Sequence, residues 1–315
     1  MISKTPLKWV GSKVKVMAEL KKHLPAGDRL VEPFAGSCAV MMNTDYPAYL
    51  VADINADLIN LYVQIQQHES AFLALAAQVF AQNKTKDCYT AIRAEFNNDT
   101  ALPLLHRAVY FLYMNRHGYR GVCRYNLKGG YNVPFEKIAR PYFPEKEIRA
   151  FAEKARHATF VCAGFADTLK LVQRGDVIYI DPPYDGTFSK YHTQDFGRPE
   201  HIELAEDVLH LRNCGYPVVV SNSDTEFTRE LYADMEIHRI TTFRSVGVAA
   251  GKGKKAAEII AVSRGGKVCD QCGRTGGGNC PDCGPCAGYS AACGEESDSD
   301  VLPGYWESEE NPIPL

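Results

Sequence analysis

The strongest constraint on the fold is an alternation of short apolar strands with helical segments along two separate stretches of the chain. In residues 29–67 the segments "RLVEPF" and "YLVADIN" predict strands, and "GSCAVMMN" after the first strand predicts the start of a helix. The alternation resumes at residue 145 and continues to residue 264. This pattern is typical of an α/β domain with a mainly parallel, doubly wound sheet.

Residues 67–144 differ from both stretches because they show helical periodicity up to residue 115 and then a polar, glycine-rich loop. The sequence therefore predicts one catalytic domain, formed by residues 1–66 and 145–264, with a mainly helical insertion. Seven Lys and Arg residues between Leu105 and Pro144 stand against a single acid, although the whole chain has a net charge of −3. Such a local excess of positive charge indicates contact with a polyanion.

The composition changes at residue 265, and the tail, residues 265–315, is rich in glycine, cysteine, serine and acidic residues. It holds six of the eleven cysteines, including two C-x-x-C pairs separated by seven residues. Two such pairs can bind zinc through four thiolates. A structural zinc site and a disordered, thiol-rich tail both stay open for these residues, which are Cys269, Cys272, Cys280 and Cys283.

The chain has no apolar run near the ~18 residues that a membrane span needs, and its first residues lack an apolar leader with a cleavage site. The five cysteines before the tail are scattered, as is typical of reduced thiols inside cells. These features predict a cytoplasmic protein.

The turn after the first predicted strand, in "VEPFAGSC", has the features of a ligand-binding turn. Gly36 lets the backbone approach a ligand closely, and the N–H groups of a following helix would face that ligand. Asp53 ends the next strand, 17 residues after Gly36, where an acid in doubly wound sheets binds ribose hydroxyls. The alternatives are an ordinary tight turn and a capping role of Asp53 for the next helix. Together the two residues favour an adenosine-containing cofactor.

The segment "DVIYIDPPY" predicts a buried strand that ends in a carboxylate, two prolines and a tyrosine. Ionised Asp181 offers only acceptor lone pairs, the carbonyl of Pro182 lies on a stiff turn, and Tyr184 provides a flat ring for stacking. Two acceptors beside an aromatic face match an exocyclic amine on a planar base, whose nitrogen they would orient for attack. The alternative is a proline turn that merely ends the strand, with Asp181 bonded to local backbone.

Four blocks of this sequence resemble the Dam-type (D12 class) N6-adenine DNA methyltransferases, which use S-adenosylmethionine. The blocks are "PLKWVGSK", "LVEPFAGS" with "ADIN", "GVCRYNLKGGYNVPF" and "DVIYIDPPY", and they lie within residues 4–264. The resemblance implies a Rossmann-like methyltransferase sheet with an inserted DNA target-recognition domain, and it says nothing about the tail. It also implies direct, metal-free methyl transfer to an adenine flipped out of double-stranded DNA, with GATC as the expected site.

The resemblance assigns the cofactor and amine sites residue by residue. Asp181 would meet both the cofactor and the target amine, and Pro182 and Tyr184 would complete the amine site. Phe165 would lie against the adenine of the cofactor. The implied cofactor-binding residues are Trp9, Lys13, Phe34, Gly36, Asp53, Phe165 and Asp181.

The implied DNA contacts come from the first block and from the loop 116–134. Arg124 is expected to read a guanine through a bidentate contact, Tyr119 to insert into the base stack and Arg116 to neutralise a phosphate. Arg120 and Val122 replace residues that are usual in the family, so they bear on the recognised sequence. The expected DNA-binding residues are Lys8, Arg116, Tyr119, Arg120, Val122, Arg124, Asn126 and Pro134.

Two other functions stay open on the sequence, namely a catalytically inactive DNA-binding homologue and an RNA amino-methyltransferase. The resemblance to the N6-adenine DNA methyltransferases implies that the protein acts on DNA at the nucleoid, in the cytoplasm of a bacterial or phage-infected cell. Outside the expected site, His117 and His201 are expected to be surface or capping residues.

Overall fold

Seven strands form a single sheet in the part of the chain that the structure describes. The computed structural model describes residues 2–137, 142–185, 196–244 and 254–265. The strands are β1 (Arg29–Glu32), β2 (Ala48–Asp53), β3 (Ala158–Cys162), β4 (Asp176–Ile180), β5 (Pro217–Ser223), β6 (Glu236–Arg244) and β7 (Lys254–Arg264). They lie in the order β3-β2-β1-β4-β5-β7-β6, and only β7 pairs antiparallel, with β5 and with β6. The predicted mainly parallel α/β sheet is confirmed.

The strand order reverses between β1 and β4, because the chain runs outward from β1 through β2 to β3 and then returns to the other side of β1. Open α/β sheets bind ligands outside the carboxyl ends of their strands at such a reversal. β1 ends at Glu32 and β4 ends at Ile180. The turn that contains Gly36 and the turn that contains Asp181 therefore meet at this point.

The core covers both faces of the central strand, β4, which is buried along its whole length. Val177 and Tyr179 belong to one hydrophobic cluster, and Ile178 and Ile180 belong to another. Successive side chains of a strand point to opposite faces, so a strand buried on both faces needs a continuous apolar run. This explains the sequence "VIYI" and holds the residue that follows it in a fixed place.

The helices of the described residues fill the connections between the strands. They are α1 (Met17–Leu20), α2 (Ala56–Gln82), α3 (Lys86–Asn98), α4 (Leu104–His117), α5 (Glu145–Ala155), α6 (Phe165–Leu169), α7 (Arg198–Asn213) and α8 (Glu226–Leu231). None of them is long and apolar enough to cross a membrane. α2 packs against both α4 and α5, and its kink at His68 (φ −132°, ψ 38°) lies next to the predicted start of the insertion. The limits of that insertion stay a prediction.

Two local predictions are wrong. The segment after β1 does not form an α-helix but turns and a short 3₁₀ segment, Met41–Asn43, because Gly36 (φ 46°) and Cys38 (φ 56°) adopt left-handed backbone conformations that interrupt a helix. His117 and His201 are buried, not on the surface. His117 Nδ1 lies 2.9 Å from the Tyr113 carbonyl oxygen, and burial lowers the pKa of both imidazoles.

Candidate active site at the sheet reversal

Asp181 follows the last residue of β4 and places its carboxylate at the reversal of the strand order. Its side chain is 19% exposed, and its Oδ2 atom lies 2.6 Å from the Nζ atom of Lys13. Its Oδ1 atom is buried and accepts no hydrogen bond from the residues that the structure describes. Burial raises the pKa of Asp181 to about 6, against the opposing charge of Lys13. An acceptor atom buried without a donor is costly, so Oδ1 is suited to a ligand N–H group.

Lys13 and Tyr184 surround this carboxylate. The Lys13 side chain is 5% exposed, donates to the Gly11 carbonyl oxygen at 2.9 Å and lies 4.8 Å from the centroid of the Tyr184 ring. The ring therefore presents a face beside Asp181, as a stacking role requires. Pro182 is buried between the two site residues.

Glu32 is a second acid at the same edge, and it was not among the site residues predicted from the sequence. Its Oε1 atom is buried with no hydrogen-bond partner among the described residues. Burial raises the pKa of Glu32 to about 8, and the nearby charge of Asp181 adds to this effect. Glu32 therefore carries a proton at neutral pH, which lets Asp181 hold the negative charge. In the sequence, Glu32 stands out as an acid that directly follows the apolar residues Leu30 and Val31 of the predicted strand.

The turn after β1 is held by Asp53 at the end of β2. Asp53 Oδ2 accepts from the Gly36 N–H at 3.1 Å, and its Oδ1 accepts from the Asn55 N–H at 3.0 Å. The N-cap of α2 is Asn55, whose side chain accepts from Asp57 and Leu58 N–H groups, so the capping alternative for Asp53 is not needed. Asp53 instead joins the ends of β1 and β2, where a ribose would lie.

Aromatic rings flank this turn. The Trp9 indole lies against Gly36, since a β-carbon on Gly36 would be 2.8 Å from Trp9 Nε1. Phe34 and Phe165 stack with ring centroids 5.7 Å apart, and Phe196 meets Phe34 edge-on at 5.7 Å. Phe196 was not predicted, because it lies far from both motifs in sequence. The rings provide flat apolar surfaces for a purine.

The loop 118–137 is anchored to the catalytic edge through buried polar contacts. Tyr125 donates its phenol to Asp57 Oδ2 at 2.6 Å, in the first turn of α2. Asn115 donates to the Lys8 carbonyl oxygen at 2.8 Å and accepts from the Lys8 N–H at 2.9 Å. A β-carbon on Gly121 would lie 2.2 Å from the β-carbon of Lys8, so the two segments are in close contact. The expected DNA-reading loop therefore stands beside the expected cofactor turn.

The loop presents several of the expected DNA-binding side chains to solvent. Tyr119 is 45% exposed, Pro134 is exposed and Val122 is half-buried. Arg120 has a left-handed backbone (φ 52°), and its N–H donates to Glu136 at 3.0 Å. These positions leave their side chains accessible to a duplex.

Arg124 is held in a defined orientation by Asn132. Its Nε donates to Asn132 Oδ1 at 2.7 Å and its Nη2 donates to the Asn132 carbonyl oxygen at 3.1 Å. Asn132 thus occupies the edge of the guanidinium formed by Nε and Nη2, and the outer edge formed by Nη1 and the second N–H of Nη2 is not part of this contact. That outer edge has the geometry for a bidentate contact to a guanine.

Two of the expected DNA contacts take a different form, and a third, Lys8, is only partly accessible. Arg116 is buried, its guanidinium donates to the Pro6 carbonyl oxygen, and burial lowers its pKa, which is incompatible with the expected phosphate contact. Asn126 uses its side-chain oxygen to accept from the Lys128 and Gly130 N–H groups, so it shapes the turn. Lys8 is half-buried, and burial together with the charge of Arg116 lowers its pKa.

No group of three or more His, Cys, Asp or Glu residues with metal-binding geometry occurs among the described residues. The four cysteines expected to bind zinc lie outside the described residues, and they are Cys269, Cys272, Cys280 and Cys283. The zinc site therefore stays a prediction.

The sequence of this chain matches a known protein family. The model of the D12 class N6 adenine-specific DNA methyltransferases matches residues 9–246. The chain belongs to this family. Family membership confirms the resemblance and implies S-adenosylmethionine as the methyl donor.

Curated relatives of this methyltransferase match it over most of its length. The retron Ec67 DNA adenine methylase of Escherichia coli is 58% identical over 259 residues, which are 82% of this chain and 91% of that protein. The DNA adenine methylase of Escherichia coli strain K12 is 41% identical over 268 residues, 83% of this chain and 96% of that protein. The DNA adenine methylase of Serratia marcescens is 42% identical over 265 residues, 82% of this chain and 97% of that protein.

Proposed function

We propose that this methyltransferase transfers the methyl group of S-adenosylmethionine to N6 of an adenine in double-stranded DNA, within GATC. The observation that carries the proposal is Asp181, one of whose carboxylate oxygens is buried beside the ring of Tyr184 with no hydrogen-bond partner among the described residues. An adenine N6 amine offers two N–H donors and a flat ring, so it satisfies both features at once. The retron and K12 relatives are both named DNA adenine methylases, which supports the choice of base.

The cofactor would be held at the ends of β1, β2 and β3. Asp53 would accept ribose hydroxyls, Phe34 and Phe165 would enclose the adenine, and Trp9 would keep the turn at Gly36 closed. S-adenosylmethionine supplies a methyl group on a cationic sulfonium. The negative charge of Asp181 would attract this sulfonium once the ammonium of Lys13 has left the carboxylate.

The amine would be oriented by Asp181, Pro182 and Tyr184. N–H bonds to Asp181 and to the Pro182 carbonyl would pull the amine out of conjugation with the ring and free its lone pair for in-line attack on the methyl carbon. The new N–C bond would form as the C–S bond breaks, so that the sulfur leaves as a neutral thioether and the methylated nitrogen releases one proton to solvent. Lys13 now lies over the Tyr184 ring, where the base would stack, and its ammonium is bonded to Oδ2, the carboxylate oxygen next to the Oδ1 atom proposed for the amine. Lys13 therefore has to move aside when the base enters.

The adenine must leave the duplex stack to reach this edge, at a cost of a few kcal/mol. Tyr119 would fill the space that the base leaves, because its ring is exposed on the loop. Arg124 would read a guanine with its outer edge, and Lys8, Arg120, Val122 and Pro134 would complete the contact surface. Asn126 would act by shaping the loop.

The direct test incubates the protein with methyl-labelled S-adenosylmethionine and one of three nucleic acids: a GATC duplex, a duplex without GATC, or RNA. Label is expected at adenine N6 in the GATC duplex alone. Label only in RNA would contradict the proposal, and binding to DNA without any transfer would indicate an inactive homologue.

The rate of methyl transfer is expected to depend on the protonation of Asp181. The pKa of this acid is raised by burial to about 6, and protonation removes its charge and turns one of its acceptor oxygens into a donor, so kcat/KM falls as the pH drops below that value. When kcat/KM is measured from about pH 5 to about pH 8, it should rise through about pH 6 and then level off. A flat profile over that range would show that Asp181 does not titrate in the free enzyme.

Gly36→Ala is expected to weaken S-adenosylmethionine binding about tenfold, or about 1.4 kcal/mol. The backbone there is left-handed (φ +46°), and a β-carbon would be 2.8 Å from Trp9 Nε1, so both the turn and the indole must shift. Isothermal titration calorimetry checks the affinity. The control is Gly164→Ala, where φ is −70° and a β-carbon would meet no atom within 4 Å. An equal loss in both variants would contradict the assignment of the turn.

A further inference from the structure

Glu258 is a buried acid that contacts the amine site from a distant part of the sheet. It lies on β7, which is separated from β4 by β5, and it is 8% exposed. The phenol of Tyr184 donates to Glu258 Oε2 at 3.0 Å. The other oxygen, Oε1, accepts from Thr242 Oγ1 on β6 at 2.8 Å. Both carboxylate oxygens are thus fixed, one by the ring proposed to stack on the base and one by the neighbouring strand.

The residue after Tyr184 is attached to the same strands. Ser223 Oγ donates to the Asp185 carbonyl oxygen at 3.1 Å, and Thr225 Oγ1 donates to Asp185 Oδ2 at 3.2 Å. Ser223 is the cross-strand partner of Glu258 in the β5–β7 pair. The turn that carries the amine site is therefore positioned from its far end by β5, β6 and β7.

We propose that Glu258 is a positioning residue for methyl transfer, which fixes the Tyr184 ring and places a negative charge near Asp181. This inference rests on the proposed function, because it assumes that the adenine stacks on Tyr184. Tyr184 follows the Pro-Pro turn and lies outside the strands, and the bond to Glu258 ties its phenol to β7. A misplacement of about 1 Å at a reacting centre can cost a factor of ~10² in rate.

The charge of Glu258 also supports its role as a positioning residue. Burial is the main cause that raises the pKa of Asp181, and the nearby charge of Glu258 adds to it. The charged and titratable groups that act on Asp181 or respond to it are Lys13, Glu32, Tyr179, Tyr184 and Glu258. Removing the charge of Glu258 therefore lowers the pKa of Asp181, a change that loss of packing alone does not predict.

The test is Glu258→Gln, which keeps the side-chain volume and an acceptor oxygen but removes the charge. We expect kcat to fall about tenfold, the KM for S-adenosylmethionine to stay unchanged, and the acidic limb of the kcat/KM profile to move to lower pH. In a Tyr184→Phe background the same substitution should lower kcat less, because the phenol that it positions is absent. Glu203→Gln, on the exposed face of α7, is the control expected to match the unaltered chain.

The possible results separate this inference from the proposed function. Suppose that the unaltered chain transfers methyl groups normally, and that Glu258→Gln changes neither kcat nor the acidic limb of the kcat/KM profile. This result would overturn the role of Glu258 and leave the proposed function standing. An equal loss of kcat in the Tyr184→Phe background would also overturn that role. No transfer by the unaltered chain would overturn both. If Glu258→Gln fails to fold, Thr242→Val replaces it, since it removes only the bond to Oε1 and should lower kcat by a smaller factor.

Discussion

Asp181→Ala is expected to abolish methyl transfer while leaving DNA binding nearly intact. The carboxylate is the acceptor proposed for the amine, and losing one electrostatic group at a reacting centre costs up to about 10³-fold in rate. The DNA contacts are assigned to a different part of the chain, the loop 118–137, so binding should change only a few-fold. Single-turnover transfer of labelled methyl groups and fluorescence anisotropy with a GATC duplex measure the two quantities.

The main difficulty in this experiment is stability, because Asp181→Ala leaves the buried ammonium of Lys13 without its partner. Breaking a buried ion pair from one side costs about 3–5 kcal/mol. The double variant Asp181→Ala with Lys13→Met removes both charges and should recover the melting temperature but not the activity. Asp167→Ala, at a 73% exposed carboxylate paired with Lys170, is the surface control. Recovery of transfer in the double variant, or equal loss of binding and transfer in Asp181→Ala, would contradict the catalytic role.

Arg124→Ala is expected to lower kcat/KM on GATC by about 5- to 150-fold, the equivalent of about 1–3 kcal/mol for a bidentate guanine contact. The loss should be small on sites that already lack the guanine, because the contact is absent there. Replacing the guanine by 7-deazaguanine removes one acceptor and should cost the unaltered enzyme activity but cost Arg124→Ala nothing further. Steady-state kinetics on the matched duplexes give these ratios.

Two variants refine this experiment. Asn132→Ala frees the guanidinium from the residue that orients it, so it should lower discrimination less than Arg124→Ala does. Lys128→Ala, on the exposed tip of the same loop, controls for the loss of one positive charge. A uniform decrease on cognate and mismatched sites in Arg124→Ala would identify a phosphate contact instead.

Much of the architecture was predictable because it depends on local patterns. Continuous apolar runs predicted the buried parallel strands, and Gly36 and Asp53, selected together from the sequence, do lie side by side, with the Gly36 N–H donating to Asp53 Oδ2. The prediction of a helix after β1 was wrong. Nothing in the helical propensity of these residues indicates the left-handed backbone conformations that Gly36 and Cys38 adopt at the reversal of the strand order. Propensity carries no information about tertiary packing.

The site was less predictable where it depends on residues far apart in sequence. Arg116 looked like a phosphate ligand in a basic loop, yet it is enclosed and bonded to Pro6, which lies 110 residues away. Glu258 and Phe196 lie outside the quoted motifs, and Glu32 lies inside the block "LVEPFAGS" without a role assigned to it there. Their importance comes from which strand ends are neighbours in the sheet.

The sequence by itself determined the family, the parallel sheet and the presence of an acceptor-rich turn with a stacking ring at Asp181 and Tyr184, because each rests on a short contiguous block. The tertiary structure alone decided which groups surround that turn. It placed Lys13 on Asp181, buried Glu32 so that its pKa rises to about 8, and joined Tyr184 to Glu258 across the intervening strand β5. Burial and long-range pairing set the charge and orientation of these groups, and both depend on the folded chain as a whole.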